Sequence, residues 1–128
     1  MLHELLKDYS DAVEQAILSC DRVYVERYTE EILTPERVNL RLRLRFDKGY
    51  LLEIHEAVII ARQDLVHLDY RYHCQDEQNR LVFRYDSTPH FPNLASFPHH
   101  KHLPDSVIIS ERPDISYVVQ EVMAQLKE

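Results

Sequence analysis

The chain begins and ends with segments whose apolar residues recur at helical spacing. Over residues 2–19 the apolar side chains form one stripe and the charged side chains lie opposite, which predicts an amphipathic helix. Residues 114–126 repeat this pattern, and Asp114 stands where an N-cap is favoured. The pattern therefore predicts one helix near each end of the chain.

Between these helices, apolar and polar residues alternate as they do in half-buried strands. The alternation is clearest over residues 40–46, where leucine and phenylalanine alternate with arginine. Asp47-Lys48-Gly49 then has the composition of a three-residue hairpin loop with Gly49 at the left-handed position. Four further segments are predicted strands: residues 23–33, 50–60, 65–75 and 80–86. We therefore expect a single α+β domain over residues 1–128, with an antiparallel meander of four to five strands and both helices packed on one face.

Keeping the apolar residues on one face also predicts the hairpin registers. Arg43 is expected opposite Glu53, Arg41 opposite His55, and Arg71 opposite Arg84. The outer face would then collect these polar residues: Arg41, Arg43, Arg45, Glu53, His55, His67, Asp69, Arg71, His73, Arg84 and Asp86. Such a face is either an ordinary solvated sheet surface or a platform for phosphates. On the second interpretation the RNA-binding candidates are Arg41, Arg43, Arg45, Arg71 and His73.

Composition removes several classes of function. The single glycine excludes glycine-rich phosphate loops, and a net charge of −7 argues against a general nucleic-acid binder while leaving room for a local basic surface. Cys20 and Cys74 belong to no paired-cysteine motif, the start does not resemble a secretory signal, and no apolar run has the length of a membrane span. These features favour a cytoplasmic protein with reduced thiols and no membrane partner.

The least regular part of the chain runs from about Tyr85 to His102. Residues 87–113 lack a helical or strand period apart from residues 107–109, and they contain five of the six prolines. Long connections in compact domains are usually functional or disordered. Because Phe91, Phe97 and the prolines provide anchors, we expect this segment to be ordered against the sheet. It carries four histidines and a lysine: His90, His99, His100, His102 and Lys101.

Histidines at this density allow three interpretations. They serve as general acid and base near neutral pH, or they bind a late transition metal, or they are solvated polar residues. The spacing His-His-Lys-His matches no standard zinc motif, and no cysteine lies nearby.

Four short motifs together suggest a family. The runs Tyr70-Arg71-Tyr72-His73, Leu81-Val82-Phe83-Arg84-Tyr85-Asp86, Pro89-His90 and Phe97-Pro98-His99-His100-Lys101-His102 resemble the TumE-type toxin family of prokaryotic toxin–antitoxin modules. The resemblance covers roughly residues 24–125. It implies a small cytosolic toxin that acts on RNA and is neutralised by a helix-turn-helix antitoxin encoded beside it. The family typically continues Arg-Tyr-Asp with Asn-Ala-Pro-His-His, whereas this chain has Phe91 in place of the second histidine.

A metal-independent ribonuclease needs a base for the 2′-hydroxyl, an acid for the leaving 5′-oxygen and cations for the charge that develops on phosphorus. The four loop histidines are candidates for base and acid, Arg84, Lys101 and Arg71 for the cations, and Asp86 for orienting an imidazole. Because the last strand runs directly into Pro89-His90, we expect Arg84, Asp86 and at least two of the histidines to converge. No cofactor is required on this interpretation.

Two other functions remain open from the sequence. The polar face and the loop would serve equally in a non-catalytic module that docks an antitoxin or nucleic acid. The histidines would also serve as ligands in a metal-dependent hydrolase. The sequence leaves a homo-oligomer open as well.

Overall fold

The computed structural model describes residues 1–127 as two helices and a seven-stranded antiparallel sheet. The elements are α1 (Glu4–Leu18), β1 (Val23–Thr34), β2 (Arg37–Phe46), β3 (Leu51–Ala61), β4 (Asp64–Gln75), β5 (Leu81–Asp86), β6 (His100–Leu103), β7 (Ser106–Ile109) and α2 (Ile115–Gln125). The strands lie side by side in chain order, so the sheet is a simple meander. The α+β class predicted from the sequence is confirmed. None of the helices in the described part of the chain combines the length and apolar character of a membrane span.

The expected strand count of four to five was wrong, because β6 and β7 also belong to the sheet. Both strands lie within residues 87–113, where only the short run 107–109, which is part of β7, shows a strand-like pattern. Each has four residues, too few for a clear alternation. In addition, His100, Lys101 and His102 are all polar although both faces of β6 are partly or fully covered. Because polar residues occupy both faces of β6, its sequence shows no alternation of apolar and polar residues from which a strand could be predicted.

Both helices contribute to one hydrophobic core. Buried residues of α1 and α2, such as Ile17 and Val122, belong to the same cluster as Leu42, Tyr72 and Phe83 from the sheet. This shared cluster agrees with the expectation that both helices cover the apolar face. At the start of α2, the Asp114 carboxylate accepts a hydrogen bond from the Tyr117 amide at 2.8 Å, as its sequence position predicts.

The first predicted register is confirmed and the second was wrong. Arg43 pairs with Glu53, and Arg41 pairs with His55. In the second hairpin Arg71 pairs with Asp86 instead of Arg84. The Asp76 amide bonds to the Arg80 carbonyl at 2.9 Å, and a further irregularity follows at Gln75, which pairs with Leu81. The longer turn and this irregularity each shift β5 by one residue, so that opposite charges replace the expected like charges.

A β-bulge in β4 corrects another expectation. Ala57 pairs with Asp69 and the next residue, Val58, pairs with His67, which leaves Leu68 as the extra residue. His67 was expected on the outer polar face, but the bulge turns it towards the helices, where its ring contacts Tyr9. Leu68, which was expected to face inward, is exposed.

Candidate functional site

Residues from five strands stand side by side in two rows across the outer face of the sheet. In order from β2 to β6, the first row is Arg43, Glu53, His73, Arg84 and His102. The second row is Arg41, His55, Arg71, Asp86 and His100. Direct cross-strand partners are close enough for their side chains to interact. The sheet thus gathers arginines, histidines and one buried aspartate that are distant in sequence.

Four of these side chains form a compact group, here called the Asp86 cluster: Arg84, Asp86, His100 and His102. The Asp86 carboxylate lies 2.8 Å from His100 Nε2, 3.7 Å from His102 Nε2 and 3.4 Å from Arg84 Nε. The two Nε2 atoms are 3.0 Å apart. Asp86 and His100 are 4% and 1% exposed, so the centre of the cluster is closed to solvent.

The backbone fixes the orientation of His100 and Asp86. His100 and Asp86 are direct partners in the ladder between β5 and β6, and His102 lies two residues along β6 on the same face. His100 Nδ1 lies 2.9 Å from the Pro98 carbonyl, which can only accept, so Nδ1 carries the proton. Thr88 donates its amide to Asp86 Oδ1 at 3.1 Å. His100 Nε2 is therefore aimed at Asp86 and His102.

The connection between β5 and β6 covers the cluster. The Phe91 ring packs edge-on against both imidazoles, with centroids 4.9 Å from His100 and 5.7 Å from His102. His90, beside Phe91, is exposed. Phe97 was also expected to anchor this segment, but it is 44% exposed. Phe91 is thus the aromatic residue that closes the site.

Three imidazoles on this face, those of His102, His73 and His55, have lowered pKa values. Burial and the neighbouring Arg84 lower the pKa of His102, while Asp86 acts in the opposite direction. Burial and Arg84 likewise lower the pKa of His73, and burial and Arg71 lower that of His55. At neutral pH these rings therefore carry a free lone pair that can accept a proton or bind a metal ion.

Two of the predicted catalytic residues lie elsewhere. Lys101 points to the helix side of the sheet, where its Nζ is 2.6 Å from the Glu121 carboxylate and 4.7 Å from the centre of the Tyr85 ring. His99 stacks on Tyr70, and its Nδ1 is 2.9 Å from the Tyr70 hydroxyl. Of the seven candidates, Arg84, Asp86, His100 and His102 therefore converge, while His90 lies at the solvent side of Phe91.

The predicted RNA-binding arginines differ in whether a carboxylate already engages their guanidinium groups. Arg43 and Arg45 both donate to the Glu26 carboxylate, at 2.8 and 3.0 Å, and Arg43 also lies 3.3 Å from Glu53. Arg71 instead lines an open cleft of about 430 Å³, together with Thr88. Arg41 and His73 lie in the two rows on the same face. Arg71 is thus the arginine best placed beside the Asp86 cluster.

The sequence analysis did not predict a second polar group, which is centred on Glu56 of β3 and lies on the helix side of the sheet. Glu56 is 3% exposed and accepts hydrogen bonds from the Tyr9 and Tyr72 hydroxyls. His67 Nε2 and Arg112 Nη1 lie 3.5 and 3.7 Å from its carboxylate. Burial raises the pKa of Glu56, but His67 and the tyrosines outweigh it and the net pKa is lowered. The available signal was that Glu56 falls in phase with the apolar residues of β3.

The Asp86 cluster has the parts of both a proton-transfer site and a cation site. One donor atom from each of Asp86, His100 and His102 lies within 4.8 Å of the others. Arg84, whose side chain is 34% exposed, provides a positive charge at the edge of this group. An anionic substrate that approached over Arg84 would meet the imidazole of His102, whose side chain is 19% exposed.

A known protein family matches this chain along nearly its whole length. The family model described as toxin TumE matches residues 13–128, which is nearly the whole chain. No curated protein and no solved structure matches it. The match covers α2, every strand and the C-terminal part of α1 (residues 13–18), together with all the residues of the Asp86 cluster. The chain therefore belongs to the TumE toxin family.

Proposed function

We propose that this protein is the toxin of a toxin–antitoxin module and that it cleaves RNA at the Asp86 cluster. Family membership supports the role as a toxin. The observation that carries the ribonuclease function is the position of Arg84, which stands beside a buried group of one carboxylate and two imidazoles. A cation next to proton-accepting groups is the combination that phosphodiester cleavage needs.

The proposed reaction is an attack of the RNA 2′-hydroxyl on the adjacent phosphorus. The Asp86 cluster takes up the hydroxyl proton while the new P–O2′ bond forms, and Arg84 stabilises the negative charge on the phosphoryl oxygens. The P–O5′ bond then breaks, and the leaving oxygen receives a proton from His90. The products are a 2′,3′-cyclic phosphate and a free 5′-hydroxyl, and no oxidant or reductant is consumed.

Exposure determines which residues meet the substrate. His100 is 1% exposed, so it acts by positioning its neighbours. Arg84 and His102 form the accessible edge of the cluster, and His90 is exposed on the covering segment. These three residues can reach the scissile phosphate, and they are the ones to which we assign direct contact.

The RNA strand is proposed to cross the sheet along the two rows. Arg71 is close to the cluster and open to the cleft, so it is the best candidate for the neighbouring phosphate. Arg41 and His73 extend the same surface, whereas Arg43 and Arg45 are partly neutralised by Glu26. A local surface of this kind explains how a chain with a net charge of −7 would bind a polyanion.

Induced expression and purified protein together test this function. Wild type should arrest growth and cleave RNA. Arg84→Ala should lower cleavage by about 10²–10³-fold and His102→Ala by about 10²–10⁴-fold. His99→Ala is the matched control, because His99 lies next to the cluster in sequence but contacts Tyr70 instead. Wild type that arrests growth without cleaving any RNA would contradict the proposal and favour a non-catalytic binding module.

The partner is proposed to be a helix-turn-helix antitoxin made in the same compartment, the cytoplasm. Membership of a toxin family implies an antitoxin, and a reading frame beside this one is where it is expected. Co-expression of that frame should abolish growth arrest, and the two proteins should co-purify. A neighbouring frame that neither binds nor neutralises the toxin would contradict this assignment.

A further inference from the structure

We infer that Asp86, His100 and His102 form a binding site for one divalent transition-metal ion of the zinc, cobalt or nickel type. The ion would bind at these residues whether or not the substrate of the protein is RNA. The catalytic role given to the ion below rests on the proposed function.

The distances between the donor atoms suit a shared metal ion. Zinc binds imidazole nitrogen and carboxylate oxygen at about 2.0–2.2 Å, so ligands in a tetrahedral site are about 3.3 Å apart. His100 Nε2 is 2.8 Å from Asp86 Oδ1, His102 Nε2 is 3.7 Å from Asp86 Oδ2, and the two nitrogens are 3.0 Å apart, so the separations lie on both sides of that value. One ion placed between the two nitrogens and the carboxylate would reach a donor atom of each residue with small side-chain movements.

The surroundings of the donors match those of metal ligands. A ligating histidine usually donates its second ring N–H to a carbonyl or a carboxylate, which fixes the ring and makes it a better ligand. His100 Nδ1 makes this hydrogen bond to the Pro98 carbonyl at 2.9 Å. Asp86 Oδ1 is held in turn by the Thr88 amide at 3.1 Å. Both residues are therefore oriented before any ion binds.

The donor atoms at the centre also face one another. With its proton on Nδ1, His100 turns Nε2 towards the Asp86 carboxylate and the Nε2 of the second imidazole. A proton on His100 Nε2 bridges two atoms along a line, whereas three donors converge here. Arg84 Nε is 3.4 Å from Asp86 and makes no hydrogen bond within residues 1–127. A metal ion satisfies all three lone pairs at once.

The kind of ligand indicates the kind of ion. Two imidazoles and one carboxylate suit zinc and its neighbours, while magnesium and calcium prefer oxygen donors. Three protein ligands leave a fourth position for water, as in catalytic zinc sites. The ion lowers the pKa of such a water, and this water would then be the base that takes the 2′-hydroxyl proton, beside Arg84.

Direct metal binding tests the inference without reference to activity. Full-length protein is treated with a chelator and titrated with Co²⁺, followed by visible d–d absorption, and with Zn²⁺, followed by calorimetry. Wild type should bind one equivalent of each. Asp86→Asn and His102→Gln should weaken binding by more than about 100-fold, since second-sphere changes alone cost 10–100-fold. His99→Gln should bind like wild type, and circular dichroism confirms that every variant is folded.

The outcomes separate this inference from the proposed function. If folded wild type takes up no Co²⁺ or Zn²⁺, or if the two ligand variants bind as tightly as wild type, the metal site is refuted. RNA cleavage that persists after metal removal would refute the catalytic role of the ion and leave the ribonuclease function intact. One equivalent of metal on a protein that cleaves no RNA would support the site and contradict the proposed function.

Discussion

Arg71 and Asp86 are direct cross-strand partners in the ladder between β4 and β5. This pairing brings a guanidinium to the side of the Asp86 cluster that faces the open cleft. Arg43, three strands away from Asp86, is instead engaged by Glu26 and Glu53. The two arginines share one face of the sheet but differ in their availability for a phosphate.

Arg71→Ala should weaken RNA binding because it removes an available phosphate contact. The salt dependence of binding, as log K against log [salt], should become shallower by about 1. Arg43→Ala is the matched control and should change both quantities little. Binding is measured at several salt concentrations in a His102→Gln background, in which cleavage is suppressed. A larger loss from Arg43→Ala than from Arg71→Ala would contradict the proposed path of the RNA.

Substitution of Arg84 should lower activity, whereas substitution of Lys101 should lower stability. Arg84→Ala should reduce RNA cleavage by about 10²–10³-fold, the scale for losing one charge-stabilising donor in a site. Lys101→Ala breaks the contact with Glu121 on the helix side and should lower the free energy of unfolding by about 1–3 kcal/mol. Its cleavage rate per folded molecule should not change. Cleavage assays and urea denaturation measure the two effects, and the opposite pattern would overturn the placement of the site.

Glu56 should make stability depend on pH. Its folded pKa lies below the ordinary value of 4.5, so its ionised form stabilises the fold above that pH. This contribution is lost as the pH falls below 4.5 and through the folded pKa. Glu56→Gln should cost about 2–4 kcal/mol at pH 7, and the difference from wild type should shrink in acid.

The control for this prediction is Glu53→Gln on the opposite face of β3. Glu53 is partly exposed and pairs with Arg43 at 3.3 Å, so its removal should change stability by less than about 1 kcal/mol. Urea denaturation at pH 7 and at acid pH measures both variants. Equal losses of unfolding free energy for Glu53→Gln and Glu56→Gln would show that the buried tyrosine contacts of Glu56 add no stability beyond that of an exposed ion pair.

Phe91→His should strengthen metal binding by about tenfold or more. The Phe91 ring already touches both imidazoles, so a histidine there can place a fourth nitrogen beside the ion. Phe91→Leu keeps an apolar cover and should leave the affinity close to that of wild type. Zn²⁺ calorimetry compares the three proteins. Identical affinities for folded Phe91→His and Phe91→Leu would contradict the inferred position of the metal.

Local pattern predicted the parts of the fold that depend on neighbouring residues. Arg43 opposite Glu53 followed from a tight turn at Gly49, whose φ of +81° is the left-handed value expected there, together with strict alternation on both sides. The convergence of Arg84 and Asp86 with two histidines also followed, because β5 leads directly into the covering segment.

The features of the fold that depend on irregular backbone could not be predicted from the sequence. The turn at Asp76 and the bulge at Leu68 each move side chains relative to the simple alternation, and neither has a strong local signal. They determine that Arg71 faces Asp86 and that His67 faces Glu56. The short strand β6 pairs with β5 across a long connection, and such a long-range contact leaves no local pattern in the sequence.

The side chains of β6 alternate between the two faces of the sheet. His100 and His102 belong to the Asp86 cluster, whereas Lys101 reaches through to α2. Glu121 holds both Lys101 and its cross-strand partner Tyr85, each at 2.6 Å, and so locks β6 in step with β5. A slip by one residue would swap the two histidines for the lysine. Lys101→Ala removes only one of these two contacts, whereas displacement of α2 would remove both at once, so a partner bound at α2 would act on the Asp86 cluster from the opposite face of the sheet.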